Sequence, residues 1–358
     1  MAANVSLRQS AIRFMLDALY FSGAHHVLGP RCGGAGLILT LHHVLPARSD
    51  AFQPNRALEI TPEFLESVVE ALREQDLEFI SLDEVPDRLR MPGSRRFACV
   101  TFDDGYRDVL EWAFPVLKRH GVPFTIFVTS DFADGRGHLW WRTIEHAISR
   151  NEHVAIEIDG ATRSFACQTT AEKYAAFRAL GAELSALRSE LKLRGAMNRL
   201  ADWAGVDAQA HCAASCLGWT ELAELAADPL VTIGAHTVTH AKLRTLGPVA
   251  ARWEIEAGAG CIEAALGVRP AHFAYPFGDA SAAGSREFAL ASDLGFTTAV
   301  TTRPGVLSDQ TGNGLMCLPR ISLNGEFQRL RYLRVLASGV PSATWNGLRQ
   351  LKVVRSAA

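Results

Sequence analysis

The sequence TFDDG at residues 101–105 places two adjacent carboxylates, Asp103 and Asp104, at the end of an apolar run. Strand ends are where α/β folds hold their catalytic groups. Because successive side chains at a strand end point in different directions, one acid can bind a cation while the other faces a substrate. The alternative is an Asp-Gly turn whose first Asp caps the next helix, and this segment alone leaves both interpretations open.

Two histidines, His236 and His240, follow a second apolar run at residues 230–233 and are four residues apart. At this spacing the imidazoles share one face of a helical turn and can converge on a metal. An isolated pair of this kind is more often part of a core, but this pair lies directly after a predicted strand. One carboxylate and two imidazoles leave a position open for water, which is the ligand count of a catalytic zinc site.

A third segment, FAYPFGD at residues 273–279, is an apolar strand that runs into a turn containing proline and glycine. Such a turn can leave a backbone N–H free to face a developing oxyanion. Taken alone, the segment is more simply interpreted as an ordinary β/α loop.

The elements around these segments are short apolar runs that alternate with helical patterns, which is typical of a mostly parallel sheet or barrel. With 358 residues, 48% of them hydrophobic, the chain can bury the core of one α/β barrel. From about residue 134 to 216 the pattern becomes continuously helical, which predicts an insertion. We therefore divide the chain into an N-terminal helical extension (1–36), a catalytic barrel (37–325) that contains this helical insertion, and a C-terminal basic helical tail (326–358).

The overall charge of the chain points to no polyanionic partner. Lysine and arginine number 36 against 38 acidic residues, so we expect no nucleic acid to be recruited. The seven cysteines are odd in number and scattered, which is typical of a reducing compartment. Residues 1–31 lack the uninterrupted apolar segment of a signal peptide, and no apolar run approaches the roughly 20 residues that span a bilayer. The sequence therefore predicts a cytoplasmic protein and leaves its oligomeric state open.

The tail, residues 326–358, carries six basic residues and a single acid, Glu326, interleaved with large apolar side chains. This pattern is compatible with an amphipathic helix that makes peripheral contact with an anionic membrane. The simpler and favoured interpretation is a helix that packs on the barrel with a solvated basic face.

Taken together, the three segments resemble the motifs of the polysaccharide deacetylase family, also called NodB-homology proteins or carbohydrate esterase family 4. The resemblance covers roughly residues 37–322 and implies a distorted (β/α)7 TIM-like barrel. In the family, the first Asp of TFDDG is the catalytic base and the second is a metal ligand, which implies these roles for Asp103 and Asp104. The family motif H-[ST]-x-x-H implies that His236 and His240 complete the ligands of a divalent metal, expected to be zinc.

The third family motif is an Arg-x-Pro-Tyr run whose aromatic residue offers its backbone N–H to the oxyanion. Its end is matched by Pro276-Phe277-Gly278, so the resemblance implies this role for Phe277. The arginine that orients the base in the family would fall at Ala274. Arg320, in the run LPRI, is our candidate to replace it.

The last family motif supplies a histidine as general acid, and the chain has no match for it after His272. The run LTLHHV at residues 39–44 instead resembles the histidine-bearing N-terminal strand of exopolysaccharide deacetylases that modify poly-N-acetylglucosamine. We therefore nominate His42 as the general acid and His43 as the next candidate. The alternative is that one or both histidines only pack under a loop.

The resemblance implies a metal-dependent hydrolase that removes N-acetyl groups from an amino-sugar glycan or glycoconjugate, with an N-acetylated carbohydrate as substrate. Three tryptophans, Trp140, Trp141 and Trp219, are candidates to stack on sugar rings, although such residues more often belong to a core. Two other functions stay open. One is another amide hydrolase on the same scaffold, such as an amino-sugar deformylase, and the other is a non-catalytic carbohydrate-binding descendant.

Overall fold

A computed structural model describes residues 2–91, 93–187, 190–308 and 314–344. Its strands, in chain order, are β1 Gly36–Leu41, β2 His43–Val44, β3 Glu59–Ile60, β4 Glu78–Phe79, β5 Phe97–Phe102, β6 Phe124–Val128, β7 His153–Ile158, β8 Ala161–Ala166, β9 Val231–Ala235, β10 His272–Ala274, β11 Thr298–Pro304 and β12 Leu318–Ser322. Its α-helices are α1 Ala2–Phe21, α2 Ala24–Cys32, α3 Pro62–Glu74, α4 Val85–Leu89, α5 Phe114–Arg119, α6 Ser130–Ala133, α7 Trp140–Arg150, α8 Thr170–Ala186, α9 Glu190–Ala204, α10 Ala208–Ser215, α11 Trp219–Ala226, α12 Pro248–Leu266, α13 Ser285–Asp293 and α14 Leu330–Ala337. Short 3₁₀ turns cover Arg56–Leu58, Leu243–Thr245 and Leu315–Cys317, and a π-helical turn covers Val109–Ala113.

Seven parallel strands form a closed barrel in the order β1-β12-β11-β10-β9-β6-β5, and β5 pairs back onto β1 along its whole length. The other edge of β5 is shared, because β4 pairs with its first residues and β6 with its last. Every residue of β1, β5 and β6 is buried, as expected for parallel strands that helices cover on one side and side chains fill on the other. The predicted barrel of about seven strands is confirmed.

Helix α3 shows how the local sequence builds the outer layer. The Thr61 hydroxyl accepts a hydrogen bond from the Phe64 backbone N–H at 3.2 Å, and Pro62 occupies the first helical position. The helix buries Leu65, Val68, Val69, Ala71 and Leu72 against the barrel, at the spacing of one helical face.

The region from 134 to 216, expected to be helical, also contains an antiparallel hairpin formed by β7 and β8. The side chains of Val154, Ile156 and Ile158 are buried and alternate with more exposed neighbours, which is the period of a strand. Asp159 and Gly160 both have positive φ, 50° and 77°, as a two-residue hairpin turn with an Asp-Gly pair requires. The purely helical interpretation was wrong because this local alternation outweighs the helical composition around it.

The described part of the C-terminal tail packs on the N-terminal helices. Leu16 of α1 lies in one apolar cluster with Tyr332 and Val335 of α14. The Arg331 guanidinium pairs with the Asp17 carboxylate at 2.7 Å. Tail residues 345–358 lie outside the described residues. None of the described helices combines the length and apolar character that a bilayer crossing requires.

Candidate catalytic site

The residues predicted to do chemistry meet at the end of the barrel where the parallel strands finish. Asp103 and Asp104 follow β5, His42 follows β1, and His236 follows β9. They line one cavity of about 350 Å³ together with His240, Phe277, Thr302, Asn55, Leu58, Trp140 and Trp141. Segments far apart in the chain are therefore brought together by the shared direction of the strands.

Three side chains in this cavity offer a set of metal ligands. One ligand atom each from Asp104, His236 and His240 lie within 4.8 Å of one another. The Nε2 atoms of His236 and His240 are 3.4 Å and 3.3 Å from the Asp104 Oδ1. Oδ1 is buried and has no hydrogen-bond partner of acceptable geometry among the described residues. A buried carboxylate oxygen left open beside two imidazoles fits a divalent cation such as zinc.

The orientation of His236 also fits coordination. Its Nδ1 lies 2.7 Å from the backbone oxygen of Ala274. A carbonyl oxygen only accepts hydrogen bonds, so Nδ1 carries a proton, and in the neutral ring Nε2 is the nitrogen free to bind a cation. Both His236 and Asp104 are almost fully buried, with 1% and 2% of their surfaces exposed.

The two histidines do not share a helical turn, and this expectation was wrong. The segment that carries them is a loop in which Thr237 and His240 both have positive φ, 68° and 59°. The Glu254 carboxylate accepts hydrogen bonds from the backbone N–H groups of Val238 and Thr239, at 3.0 Å and 2.9 Å. These bonds take the place of helical ones, so the loop holds a shape that the i, i+4 spacing alone does not specify.

Backbone strain is concentrated at this site. Among the described residues, six non-glycine residues have positive φ, and four of them are Asp104, Thr237, His240 and Phe277. A left-handed conformation is costly for such residues and persists only where the surroundings enforce it. The strained positions coincide with predicted ligands and their immediate supports, which is the distribution expected of a functional site.

Asp103 is held by a buried arginine from β12, which is separated from β5 in the barrel only by β1. Arg320 Nη1 and Nη2 donate to the two carboxylate oxygens of Asp103 at 2.7 Å and 2.6 Å. The same guanidinium donates to the Thr101 hydroxyl at 3.0 Å and to the Thr301 backbone oxygen at 2.9 Å. Arg320 is 1% exposed, and each of its two Nη atoms donates to a different oxygen of the Asp103 carboxylate.

The surroundings keep both carboxylates ionised. Burial by itself raises the pKa of Asp103, but the charge and hydrogen bonds of Arg320 outweigh it, so the net pKa is lowered. Burial likewise opposes ionisation of Asp104, and the attraction of His240 and its neighbour His236 brings its pKa well below the ordinary value.

The Phe277 backbone reaches the cavity at a tight turn. Phe277 has φ 61°, and its carbonyl accepts a hydrogen bond from the Thr302 hydroxyl at 2.6 Å. Within the described residues, no group accepts a hydrogen bond from the Phe277 backbone N–H. Its ring, 39% exposed, lies 5.0 Å from the His240 ring.

The structure separates the two adjacent histidines. His42 lines the cavity, and burial lowers the pKa of its imidazole while Asp104 and Asp103 oppose this only in part. His43 is instead packed beneath the rim, with its ring centre 3.6 Å from that of Tyr106. Of the two candidates, therefore, His42 is the one that shares the cavity with Asp103 and Asp104.

A carboxylate that the sequence reasoning missed anchors this segment. Asp108 accepts at Oδ2 from His43 Nδ1 at 2.6 Å and at Oδ1 from the Val44 backbone N–H at 2.9 Å. The two bonds tie down the residues directly after His42. Asp108 lies only five positions after Asp103, but no pattern in the sequence indicates that it reaches back to β2.

The tryptophans of the sequence analysis fall into two groups. Trp140 and Trp141 line the cavity, and Trp141 Nε1 also donates to the Tyr106 hydroxyl at 3.1 Å. Trp219 lies elsewhere, where its Nε1 donates to the Asp134 carboxylate at 2.6 Å. Asn55 and Leu58 also line the cavity from the segment between β2 and β3, and nothing in the sequence signalled them.

Comparison with known proteins gives consistent relatives. Residues 90–299 match the family model named Polysaccharide deacetylase. YxkH of Bacillus subtilis (strain 168) is 35% identical over 75 residues, so the match spans 19% of this chain and only about a quarter, 27%, of that relative. The fold is similar to that of the Streptococcus pyogenes deacetylase PplD in complex with acetate, with TM-score 0.54, 17% identity, and 85% of this chain and 97% of that chain covered. It is also similar to IcaB from Ammonifex degensii, with TM-score 0.53, 18% identity, and the same two coverages, 85% and 97%.

Proposed function

The chain belongs to the polysaccharide deacetylase family, as its motifs indicated, and from this premise we propose that it removes N-acetyl groups from an amino-sugar glycan by metal-dependent hydrolysis. One observation carries the proposal. A single cavity holds three side chains that can bind a metal, Asp104, His236 and His240. Beside them lies an ionised carboxylate, Asp103, which is not one of these three ligands. Binding a cation and accepting a proton are the two tasks that hydrolysis of an unreactive amide requires.

The ligand set would hold a divalent cation, with zinc the expected ion because two imidazoles and one carboxylate match its preferred donors. When bound, such an ion acidifies a coordinated water and polarises the acetyl carbonyl. The buried and unpartnered Asp104 Oδ1 supports this assignment.

Asp103 is the general base that takes the proton of the attacking water. Both of its oxygens are bonded to Arg320, yet each carboxylate oxygen has a second lone pair, so the group can still accept a proton. Arg320 positions the base and keeps it ionised, which is the task expected of an arginine from another motif.

The Phe277 backbone N–H stabilises the negative charge that develops on the acetyl oxygen. His42 protonates the leaving amine, because an amine does not leave as an anion near neutral pH. The lowered pKa of His42 favours its neutral form before substrate binds, so it gains its proton during turnover. Asp103 lies in the same cavity and carries the proton taken from water. We propose that Asp103 passes this proton to His42.

The substrate is proposed to be an exopolysaccharide rather than a small N-acetyl compound. The strand that carries His42 resembles that of deacetylases acting on poly-N-acetylglucosamine. The cavity opens beside the half-buried Trp140, which is suited to stack on a sugar ring. A deformylase would use the same groups, whereas a non-catalytic descendant would have no need of an arginine-paired base.

The test is to incubate the zinc-loaded protein with N-acetylglucosamine oligomers and to measure released acetate and free amines. We expect acetate from the wild type and almost none from Asp103→Asn, which keeps the ligand set. Formate release from N-formyl analogues that exceeds acetate release would favour the deformylase. No release from either substrate by the metal-loaded protein would contradict a catalytic function.

A further inference from the structure

The surface of α1 carries an apolar stripe that nothing in the described structure covers. Phe14 and Phe21 are 76% and 74% exposed, and they lie seven residues apart, on the same face of the helix. Ala11 and Ala18 are exposed on that face too. We call these four residues the α1 stripe.

The opposite face of α1 is already occupied. Leu16 is buried against Tyr332 and Val335, and Ile12, Met15 and Leu19 pack around this cluster. The helix is therefore apolar on two sides, although only one of them faces the protein. A helix that is apolar all round is normally buried, so the exposed side calls for a second apolar environment.

The next helix also exposes large apolar side chains. Val27 and Leu28 of α2 are 72% and 41% exposed, and only two residues separate α2 from α1. Val249 and Trp253 on α12 are also exposed and lie four residues apart on one helical face, but α12 carries one arginine against three glutamates, so its charge is not positive.

The charge around the α1 stripe is positive. Among the described residues, Arg13, Arg31, Arg329, Arg331 and Arg334 lie on or beside these three helices, and Asp17, Glu74 and Glu326 pair with Arg331, Arg334 and Arg13. Five cations against three acids leave a positive balance, whereas the whole chain has a net charge of −2. The Arg331 guanidinium lies 5.7 Å from the centre of the Phe21 ring, so a cation borders the apolar stripe directly. Exposed Arg31 closes α2.

We propose that the α1 stripe docks this protein on an anionic membrane surface, with the aromatic rings at the level of the acyl chains and the arginines among the headgroups. Phenylalanines on one helical face and neighbouring cations are the two features that bind an interfacial helix to anionic lipid. A symmetric dimer through the same stripe would bring two positive faces together, which disfavours a second copy as the occupant.

The site differs from the one first suggested by the basic tail. The apolar side chains of α14, among them Tyr332, Leu333 and Val335, are buried, so they are not available to lipid. In this arrangement α1 supplies the apolar contact, and the exposed Arg31 and Arg329 supply the excess positive charge.

The test is co-sedimentation of the full chain with phosphatidylcholine vesicles, with and without phosphatidylglycerol. We expect binding only to the anionic vesicles, weakened by added salt. Replacing both rings, Phe14→Ser with Phe21→Ser, should weaken binding by about tenfold or more per ring. Arg31→Glu should weaken it on the order of tenfold, while the matched control Trp253→Ser should bind like the wild type.

Failure of the wild type to bind anionic vesicles, or unchanged binding by the double variant, would overturn the proposal. So would a dimer that becomes monomeric in the double variant while vesicle binding is absent. Because both rings are largely exposed, the variants should fold, and circular dichroism checks this. If the double variant fails to fold, either single serine variant provides the same test. Hydrolysis of a soluble oligomer should be unchanged, which separates this proposal from the proposed catalysis.

Discussion

Two adjacent carboxylates at the rim of the barrel have opposite surroundings. Asp103 is paired through both oxygens with the forked guanidinium of Arg320, whereas Asp104 has a buried oxygen that, among the described residues, has no hydrogen-bond partner and lies beside two imidazoles. A single change of backbone direction, with Asp104 at φ 72°, sends the two side chains into these different environments. One strand end can therefore carry the proposed proton acceptor and the proposed cation ligand side by side in separate surroundings.

The largest expected effect is that of removing one of the proposed metal ligands. His236→Ala or His240→Ala should abolish metal binding and with it hydrolysis, because a three-ligand site rarely keeps zinc after losing one ligand. Metal content per chain, measured by atomic emission, checks this. The exposed His153→Ala serves as a control that should retain metal. Full occupancy in both ligand variants would show that the cation, if any, binds elsewhere.

A change at Asp103 should affect hydrolysis but not metal binding. Asp103→Asn should keep the metal while hydrolysis falls by about 10²- to 10⁴-fold, because only the proton acceptor is lost. Metal content and acetate release are measured on the same sample. If Asp103→Asn loses metal and Asp104→Asn keeps it, the two roles are reversed.

The next prediction concerns His42, the proposed general acid. His42→Ala should keep metal and fold, and turnover of the amide should drop on the order of 10²-fold or more. The loss should be smaller on an activated ester, whose leaving group needs no proton. Equal losses on both substrates would indicate a structural or positioning role for His42, and His43→Ala would then be examined as the donor.

The smallest effect should come from the clamp behind His42. Asp108→Asn removes the charged partner of His43, so the free energy of unfolding should fall by about 1–3 kcal/mol. Hydrolysis should fall by about tenfold, less than in His42→Ala, because the imidazole remains but is less well placed. Asp87→Asn, in an exposed pair with Arg90, should change neither quantity. Unaltered stability in Asp108→Asn would mean that the clamp does not hold this segment.

The sequence was most informative where chemistry and strand ends coincide. Asp103, Asp104 and His236 could be located because parallel strands must finish on one rim, whatever their order. The loop around His240 could not be foreseen, because its shape depends on Glu254, fourteen residues further along the chain. Asp108 was missed for the same reason. Contacts between side chain and distant backbone follow from tertiary packing and leave no local period in the sequence.

The hairpin of β7 and β8 was not predicted for a different reason. Its signals were local, an alternating apolar run and an Asp-Gly pair at residues 159–160, and they were outweighed by the helical composition of the surrounding region. Arg320 is the opposite case. It was proposed to orient the base because the family position for an arginine falls at Ala274, yet its reach to Asp103 could be seen only in three dimensions.

The closure of the barrel by β12 links folding to charge. Arg320 lies 217 residues after the carboxylate that it neutralises, and it becomes available only when β12 inserts between β11 and β1. Until then, a growing or truncated chain holds a carboxylate in a partly formed core without its counter-ion. Burying this unpaired charge costs free energy in such an intermediate. We therefore expect either that Asp103 is protonated or that the barrel stays open to water. The Asp103–Arg320 pair therefore forms only when the fold is completed. We expect a chain cut before residue 318 to be unfolded rather than folded and inactive.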